Sequence, residues 1–550
     1  MDTMSTATAC DLWFQAEVGR LSTTDERTAA EFSRRQEELE DILLARAKEE
    51  GRAVNELGPA PEWGEEPKGR QPRIIIIGAG VGGLAMGAKL REAGYSDFVI
   101  IEKSTDLGGT WHHNNYPGVA CDVASYFYSF SFFKNPAWSQ MFAPGKEIKQ
   151  YLSDVADHYD LRRNIRFGTA VDRCLYKDGR WHVETQTGEV IEGDFLVPAT
   201  GFLHIPKLPD IPGLDSFEHD KFHSSRIPEG YDFSGKRVGV IGNGSSSVQI
   251  VSSVVEKAAH VTVFQRTAQW IFPAPNDYYS EKRRRMLEYY PELMQRLFDF
   301  FMDMYNTGFG NGAVGDKESQ RRFAEACEAN LATISDPELR TKLTPDYPVM
   351  CKRLIFSHSY YTALQKPNCT LEVEQIDRIE AQGVRLTDGR LVELDVLVLA
   401  TGFDTHAYCR KLDIQVANGP LLVDAWQEGA RSFESIGLAG FPNLLFVGGP
   451  YSTVGNLSTM TCAELQVNYI IRLLNEMKQR GATTIMPKQD EQDRFVEEME
   501  AAVVNTVWVT GCRSWYLDER GRIDIWTKSP EAFMERMTSG PDLNKYELIA

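Results

Sequence analysis

Short apolar runs alternate with longer amphipathic stretches through most of this sequence, from residue 74 onward. Each run has the length and the branched or aromatic side chains of a buried strand. The runs are IIII (74–77), DFVIIEK (97–103), GDFLVPATG (193–201), KRVGVIG (236–242), HVTVFQR (260–266), ELDVLVLATG (393–402) and NLLFVGG (443–449). Because strands that alternate with helices form parallel sheets, the pattern predicts an α/β fold.

Two segments depart from this pattern and predict helices without strands. The first, TTDERTAAEFSRRQEELEDILLARAKEEG (23–51), predicts a charged amphipathic helix capped by Thr24 or Asp25. The GPAPEWGEEPKGRQP stretch (58–72) that follows predicts a linker. We expect this N-terminal arm to pack on the main body or to join two chains as a homodimer. The second segment, residues 276–344, has charges and apolar residues at helical spacing and predicts a helical insertion.

Size and charge narrow the class of protein. The 550 residues exceed what one hydrophobic core serves, so two or three domains are expected. A net charge of −19 argues against nucleic acid as a partner. No apolar run approaches the ~18 residues of a membrane span, and the first residues lack the layout of a signal peptide. We therefore expect a cytoplasmic protein without stable membrane insertion.

The cysteines argue against two further classes. There are nine, and no two stand in a C-x-x-C pair. This spacing suggests neither a zinc site nor a redox-active disulfide, and it disfavours a disulfide reductase.

The first nucleotide-binding signal is the stretch IIIIGAGVGGL (74–84), where Gly78, Gly80 and Gly83 fill the pattern G-x-G-x-x-G. The first glycine permits a tight turn, the second lets backbone approach a pyrophosphate, and the third lets the helix pack against the strand. Glu102 ends the next strand, where a carboxylate would accept hydrogen bonds from ribose hydroxyls. The order of strand, turn, helix, strand and acid predicts a dinucleotide site.

The second signal is VGVIGNGSSSVQIV (238–251), in which Gly242 and Gly244 are kept and Ser247 takes the third position. The strand that follows ends in Gln265 and Arg266, where an NAD site usually has an acid. A guanidinium pairs well with the 2′-phosphate of NADPH, although Arg266 is also consistent with a solvated charge at a strand end. Two turns imply two dinucleotides, and we predict FAD in the first site and NADPH in the second.

The predicted architecture is therefore an α/β chain with two Rossmann-like dinucleotide-binding domains, a helical insertion and an N-terminal helical extension. The predicted divisions are an N-terminal arm and linker (1–70), an FAD-binding domain (71–215 and 391–550), an NADPH-binding domain (216–275 and 345–390) and the helical insertion (276–344).

Six motifs carry a resemblance to a known family. They are GGTWHHNNYPGVACD (108–122), ATGFLHIPKLPDIPG (199–213), CKRLIFSHSYYTAL (351–364), ATGFD (400–404), GPYSTVGNLS (449–458) and GCRSWYLDERGRIDIW (511–526). In this order they resemble segments of the class B flavoprotein monooxygenases, and among these the Baeyer–Villiger monooxygenases. The similarity extends over about residues 72–530.

The family fingerprint F-x-G-x-x-x-H-x-x-x-W-P has two differences here, where the sequence reads FEHDKFHSSRIP (217–228). Phenylalanine, histidine and proline are kept, but His219 replaces the glycine and Ile227 replaces the tryptophan. These differences leave the reaction open. The alternatives are a class B oxygenase that hydroxylates, epoxidises or oxidises nitrogen or sulfur, and a catalytically silent FAD-binding protein.

The resemblance implies a reaction and the residues that support it. NADPH reduces FAD, O2 adds to give a C4a-peroxyflavin, and this attacks an apolar ketone to give an ester or lactone. Arg353 would stabilise the developing negative charge, Asp122 would orient Arg353, and Lys352 would reach the 2′-phosphate with Arg266. For Lys352 and Arg353 a surface charge pair is the alternative, and for Asp122 a helix-capping or turn residue.

The resemblance implies further contacts to the cofactors. They are expected from Gly109, Thr110, Trp111, Asp122, Tyr128, Thr200, Ser245, Ser246, Thr267 and Thr401. Trp111 and Met460 are also candidates for the flavin or substrate wall. His223 is expected to have a structural or cofactor-orienting role. The aromatic run SYFYSFSFF (125–133) is equally consistent with a substrate pocket and with plain core.

Overall fold

The computed structural model describes residues 4–23, 25–54, 70–452, 457–512 and 514–549. Two parallel sheets organise the chain. In spatial order the first sheet contains Ile165–Arg166, Phe98–Ile101, Ile74–Ile77 and Phe195–Pro198. The second contains Cys369–Glu372, His260–Phe264, Arg237–Ile241, Val396–Leu399 and Asp220–His223. The predicted α/β class is confirmed.

Smaller sheets flank these two. A four-stranded sheet contains Asp413–Val416, Val171–Lys177, Arg180–Thr185 and Val190–Gly193, and a three-stranded one contains Ile376–Glu380, Gly383–Leu386 and Leu391–Glu393. Two pairs of strands complete the set, Ile271–Phe272 with Ile355–Phe356 and Thr484–Pro487 with Tyr546–Ile549.

The helices fall into three groups along the chain. Those of the N-terminal arm are Thr6–Ser22 and Glu26–Glu49. Those of the insertion are Glu281–Tyr289, Pro291–Met304, Asn311–Ala313, Lys317–Leu331 and Pro337–Lys342, with a π-helical turn at Tyr305–Gly310. The others are Val81–Glu92, Thr110–His113, Gly145–His158, Ser245–Val254, Tyr360–Leu364, Leu422–Ala425, Thr459–Gln479, Gln489–Ala502 and Pro530–Ser539.

Two predicted strands lie differently from expectation. NLLFVGG (443–449) runs beside the strand Phe195–Pro198 but forms only isolated bridges, Leu444 with Leu196 and Leu445 with Gly437, and the chain has positive φ at Asn443 (55°) and at Gly448 (74°). Val396–Leu399 pairs with Arg237–Ile241 in the second sheet, although the predicted boundary at 390 assigns it to the first domain. The division into domains otherwise stays a prediction.

The N-terminal arm packs on the insertion of the same chain. Asp25 caps the predicted helix by accepting from the Thr28 N–H at 2.8 Å, whereas Thr24 and most of the linker lie outside the described residues. The preceding helix was not predicted, and its Glu17 forms a buried ion pair of 2.8 Å with Arg283 of the insertion. Burial alone would raise the pKa of Glu17, but Arg283 holds it well below its usual range. The Arg283 guanidinium also lies over the Trp13 ring.

None of the helices in the described part of the chain combines the length and apolarity that a bilayer crossing needs.

Candidate active site

The first glycine turn has the close contacts that its sequence predicts. Gly78 has a φ of 108°, and a Cβ built on it would lie 2.7 Å from the Ala199 carbonyl oxygen. A Cβ on Gly83 would lie only 1.8 Å from the Gly78 carbonyl oxygen, so helix and turn touch through backbone. Gly80 directly precedes the helix Val81–Glu92, whose first N–H groups point into the turn. A phosphate fits at such a helix start.

Glu102 supports this turn from below. Its side chain is buried, and its two carboxylate oxygens accept from the backbone N–H groups of Ala79 and Ser104, each at 2.8 Å. The acid therefore fixes the two loops that follow the first two strands. Its predicted hydrogen bond to a ribose stays a prediction.

Gly109 lies against the first turn, and a short helix and a hydrogen bond connect it to Thr110, Trp111 and Tyr128. A Cβ on Gly109 would come within 3.0 Å of the Gly80 Cα, so a second glycine backbone faces the turn. Thr110 and Trp111 begin the short helix Thr110–His113. The Trp111 indole donates to the Tyr128 hydroxyl at 3.1 Å, and their rings meet edge to face. This arrangement leaves a backbone cradle that side chains would fill.

The second turn repeats the geometry of the first. Gly242 has a φ of 108°, and a Cβ on it would lie 2.4 Å from the Ala400 carbonyl oxygen. A Cβ on Gly244 would meet no atom within 4 Å, so this glycine leaves open space at the start of the helix Ser245–Val254. Ser247 is fully buried, and its hydroxyl has no hydrogen-bond partner among the described residues. A dinucleotide phosphate fits at this helix start as well.

The two ATG motifs each pack beneath one turn. Thr200 follows Ala199 under Gly78, and Thr401 follows Ala400 under Gly242. The Thr401 hydroxyl donates to the Lys207 carbonyl at 2.5 Å. This hydrogen bond joins the segment of the second ATG motif to the segment of the first. Their predicted contacts to cofactors stay predictions.

The end of the second strand carries an amide where an NAD site usually has an acid. The buried Gln265 donates to the Lys342 carbonyl at 2.7 Å and accepts from Asn243 at 3.0 Å. Asn243 also donates to the Thr267 carbonyl at 2.6 Å. Because Gln265 is uncharged, it does not repel a 2′-phosphate as an acid at this position would. The role of Lys342 as a backbone acceptor had no signal in the sequence.

Arg266 and Lys352 are the two cations predicted to bind the 2′-phosphate. Arg266 is exposed and has no ion pair within the described ranges, and Lys352 is half-buried with its Nζ 4.3 Å from the centroid of the Tyr347 ring. Burial lowers the pKa of Lys352, Asp346 opposes that shift, and repulsion from Arg266 adds to it. Arg266 is therefore near enough to disfavour the charged form of Lys352, and the joint contact of these two cations to a 2′-phosphate stays a prediction.

Asp122 and Arg353 form an ion pair. The guanidinium Nη2 lies 2.8 Å from Oδ1, and Nε lies 3.1 Å from Oδ2. Burial lowers the pKa of Arg353, but attraction to Asp122 and to Tyr516 outweighs it and raises that pKa above its usual value. The buried Tyr516 also hydrogen-bonds Arg353. The sequence predicted the partner Asp122 through the family resemblance, but it gave no signal for Tyr516.

A disulfide joins the segment of Arg353 to the C-terminal segment of Tyr516. It links Cys351 and Cys512, which are 161 residues apart with Cα atoms separated by 6.3 Å. The cysteine spacing gave no signal for it. Within the described part of the chain, no group of three His, Cys, Asp or Glu side chains is arranged to hold a metal ion.

The altered fingerprint has structural roles. His223 is buried and uses both ring nitrogens, one with the Ser225 hydroxyl and one with the Gly402 carbonyl, each at 2.9 Å. Burial lowers the pKa of His223 and thereby favours the neutral ring. Ile227 is buried in the core of the second sheet. His219 lies at the surface near Gln382.

The helix that follows the second turn, Ser245–Val254, also contacts the predicted FAD-binding domain. Gln249 accepts from the Tyr116 hydroxyl at 3.0 Å and donates to the Ala120 carbonyl at 3.1 Å. A Cβ on Gly118 would lie 2.1 Å from the Ser253 hydroxyl oxygen. These contacts place the segment that leads to Asp122 directly on the second nucleotide helix.

Comparison with known proteins places this site in a family. A family model described as pyridine nucleotide-disulphide oxidoreductase matches residues 75–290. The chain is 40% identical over 465 residues to an uncharacterized monooxygenase of Mycobacterium tuberculosis, covering 84% of this chain and 93% of that protein. It is 37% identical over 487 residues to a Baeyer–Villiger monooxygenase of Streptomyces coelicolor, covering 87% of this chain and 92% of that protein.

The chain belongs to the Baeyer–Villiger monooxygenase family. A crystal structure of OTEMO in complex with FAD and NADP superimposes with a TM-score of 0.78 at 29% identity, covering 87% of this chain and all of that one. The predictions of the family, of the monooxygenase class and of two nucleotide-binding domains are thereby confirmed for this Baeyer–Villiger monooxygenase.

Proposed function

We propose that this monooxygenase binds FAD at the first glycine turn and NADPH at the second, and inserts one oxygen atom of O2 next to the carbonyl of an apolar ketone. The overall reaction is ketone + O2 + NADPH + H⁺ → ester or lactone + NADP⁺ + H2O. Bound FAD supplies hydride acceptance and oxygen activation. The chain's own residues bind, orient and stabilise charge.

The observation that carries this proposal is the ion pair of Asp122 and Arg353. Both glycine turns can hold phosphates, but neither stabilises negative charge on the reacting oxygen. Arg353 is a fixed cation, and its hydrogen bonds to Asp122 determine which way its guanidinium faces. Preorganised charge of this kind contributes strongly when negative charge develops on a carbonyl oxygen.

The charges support the proposed assignment of NADPH to the second turn and of FAD to the first. Arg266 and Lys352 would hold the 2′-phosphate of NADPH, since guanidinium and ammonium groups both bind phosphate. Gly242, Gly244, Ser245, Ser246 and Thr267 would hold the rest of the dinucleotide. At the first turn Gly78, Gly80, Gly83, Glu102, Gly109, Thr110, Trp111, Tyr128, Thr200 and Thr401 would contact FAD.

The preference for an apolar ketone is supported by an aromatic cluster built around Phe356, in the segment of Arg353. Phe356 follows Arg353 by three residues, and its ring meets those of Phe272 (5.2 Å), Phe309 (5.0 Å) and Phe142 (6.2 Å). A wall of aromatic rings favours apolar ligands with few polar groups.

The test is turnover of the purified, FAD-loaded enzyme with NADPH and ¹⁸O2 on a panel of cyclic, linear and aryl ketones. Mass spectrometry should show an ester or lactone that carries one ¹⁸O atom. Sulfide and amine substrates in the same panel test the alternative class B reaction, since a sulfoxide or N-oxide without any ester would replace the proposal. A yellow protein that consumes no NADPH with any of these ketones would indicate the catalytically silent FAD-binding protein instead.

Assembly and location belong to this proposal as well. A homodimer formed through the N-terminal arm would use its outward face, because Trp13, Leu39 and Leu43 are already buried within one chain. Light scattering on the full chain tests this.

For a cytoplasmic location the opposing observation is the Cys351–Cys512 disulfide, because disulfides are rare in reducing compartments. Fractionation of producing cells decides.

A further inference from the structure

The helical insertion contains a π-helical turn at Tyr305–Gly310. Such turns insert a residue into an α-helix and are frequent at functional sites. Here the turn packs tightly against the C-terminal part of the chain, since a Cβ on Gly310 would lie 2.1 Å from the Pro530 ring. The turn begins at Tyr305, whose side chain is only 3% exposed.

The Tyr305 hydroxyl contacts the loop that carries Asp122. It accepts from the Ala124 backbone N–H at 3.1 Å, and it also lies 3.5 Å from the Asp122 carbonyl oxygen. Burial raises the pKa of Tyr305 well above its usual value, so the group is a neutral hydroxyl at pH 7. A neutral hydroxyl can accept from one backbone group and face another with its proton.

The rest of this loop is held by its own domain. Cys121 and Ser125, on either side of Asp122, donate their N–H groups to main-chain carbonyls at 3.0 and 2.8 Å. The Ala124 N–H, in contrast, is buried and bonds to the insertion. Without Tyr305 this N–H would be left without its partner, and a buried unpaired N–H is costly enough to move a loop.

The Tyr305 ring belongs to a cluster of aromatic side chains that includes Phe356, in the segment of Arg353. It stacks on Phe309 at 5.6 Å and meets Phe127 at the same distance. Phe309 in turn meets Phe356, three residues after Arg353, at 5.0 Å. The insertion therefore contacts the Asp122 loop through a hydrogen bond, and through packed rings it contacts Phe356, which lies in the same segment as Arg353.

We propose that Tyr305 is a positioning residue for oxygen transfer, because its hydroxyl fixes the loop of Asp122 and thereby the orientation of the Arg353 guanidinium. This inference rests on the proposed function of Arg353. It gives the helical insertion a part in the chemistry.

The test compares Tyr305→Phe with Tyr290→Phe in the FAD-loaded enzyme. Tyr290 is a matched control, because it is fully buried in the same insertion and donates to the Leu43 carbonyl at 2.8 Å, far in sequence from the Asp122 loop. Each variant loses one buried hydroxyl and leaves the ring in place. The readouts are product formed per NADPH consumed, hydrogen peroxide released, and the anaerobic rate of flavin reduction.

Loss of one hydrogen bond should slow oxygen transfer roughly two- to twelvefold in Tyr305→Phe. Product per NADPH should fall and peroxide should rise, while flavin reduction keeps the wild-type rate. Tyr290→Phe should keep the wild-type ratio of product to peroxide even if its melting temperature falls. Equal ratios in the two variants would overturn the role of Tyr305.

A double-mutant cycle tests whether Tyr305 acts through Asp122. In an Asp122→Ala background, Tyr305→Phe should cause little further loss, because coupled residues are not additive. A full additional loss would overturn the inference. Arg353→Ala, measured alongside, separates the two proposals: if it is impaired while Tyr305→Phe matches its control, only the inference on Tyr305 fails. If Arg353→Ala transfers oxygen normally, the proposed role of Arg353 fails and the inference fails with it.

Discussion

Asp122 binds Arg353 along one edge of its guanidinium, through Nε and Nη2, although 231 positions separate the two residues in the sequence. Asp122 lies in the predicted FAD-binding domain, and Arg353 lies in the predicted NADPH-binding domain. The pair therefore forms only when the two parts of the fold are correctly docked. This dependence makes it the most informative place to test the proposed chemistry.

Arg353→Ala should separate flavin reduction from oxygen transfer. Reduction requires the two nucleotides, whereas oxygen transfer also requires a cation near the reacting oxygen. A contact of this kind is worth about 3–4 kcal/mol, so product formation should fall roughly 10²- to 10³-fold. Anaerobic stopped-flow should show NADPH still bleaching the flavin, with peroxide replacing product under O2. Near-normal ester formation would show that the reactive cation lies elsewhere.

Replacing Arg266 or Lys352 by alanine should reduce the preference for NADPH over NADH. A charge-assisted hydrogen bond to phosphate contributes about 1.5–3 kcal/mol, so the KM for NADPH should rise roughly ten- to a hundredfold. The KM for NADH should change little, because NADH lacks the 2′-phosphate. Arg237, which is paired with Asp395 and Glu393, provides a control on the same sheet. Equal use of both cofactors by the wild type would contradict the assignment.

Cys512→Ser should destabilise the enzyme and loosen the segment of Tyr516. A bond that closes a loop of 161 residues restricts the unfolded chain, and its loss should lower the free energy of unfolding by about 2–5 kcal/mol. Denaturant titrations with and without reductant measure the effect. Cys369→Ser, at a free cysteine, should leave the sensitivity to reductant unchanged. Full alkylation of Cys351 and Cys512 in the unreduced wild type would disprove the bond.

Glu17→Gln should destabilise the packing of the N-terminal arm on the insertion. Removing one partner of a buried ion pair costs about 3–5 kcal/mol, because Arg283 would remain buried without its partner. Asp11→Asn breaks the exposed pair with Arg296 and should cost only about 0–1 kcal/mol. Urea titration measures both, and equal small losses would contradict the prediction.

The pH dependence of this pair has a definite sign. The folded-state pKa of Glu17 is lowered from its ordinary value of 4.5. Its stabilisation is therefore fully present above that value and is lost as the pH falls toward the folded-state pKa. The difference in stability between wild type and Glu17→Gln should shrink progressively below pH 4.5.

Local sequence patterns predicted those parts of the fold whose conformation is determined by residues that are close together in the sequence. The glycine turns follow from short-range geometry, so Gly78 and Gly242 could be placed from sequence. The helix capped by Asp25 could be placed for the same reason. In contrast, NLLFVGG (443–449) has the composition of a strand but turns at Asn443, because side-chain hydrogen bonds hold that residue in place.

Residues of the site could be predicted only where they belong to a motif shared with the family. The pairing of Asp122 with Arg353 came from family resemblance, since no local pattern links residues so far apart. Tyr516, Tyr305 and Cys512 reach the same region from the C-terminal segment and the insertion. Their roles depend on tertiary packing, which the periodicity of a single segment does not encode.

The clasp of Gln249 on Tyr116 and Ala120 has a consequence for engineering this enzyme. Ala120 is two residues before Asp122, so we expect a displacement of the second nucleotide helix to move the backbone of the proposed oxygen-transfer site. The cofactor module cannot be exchanged on its own. A chimera that takes residues 238–254 from a relative must therefore take residues 116–122 from the same donor. Otherwise it will gain the donor's nicotinamide specificity but form less product per NADPH consumed.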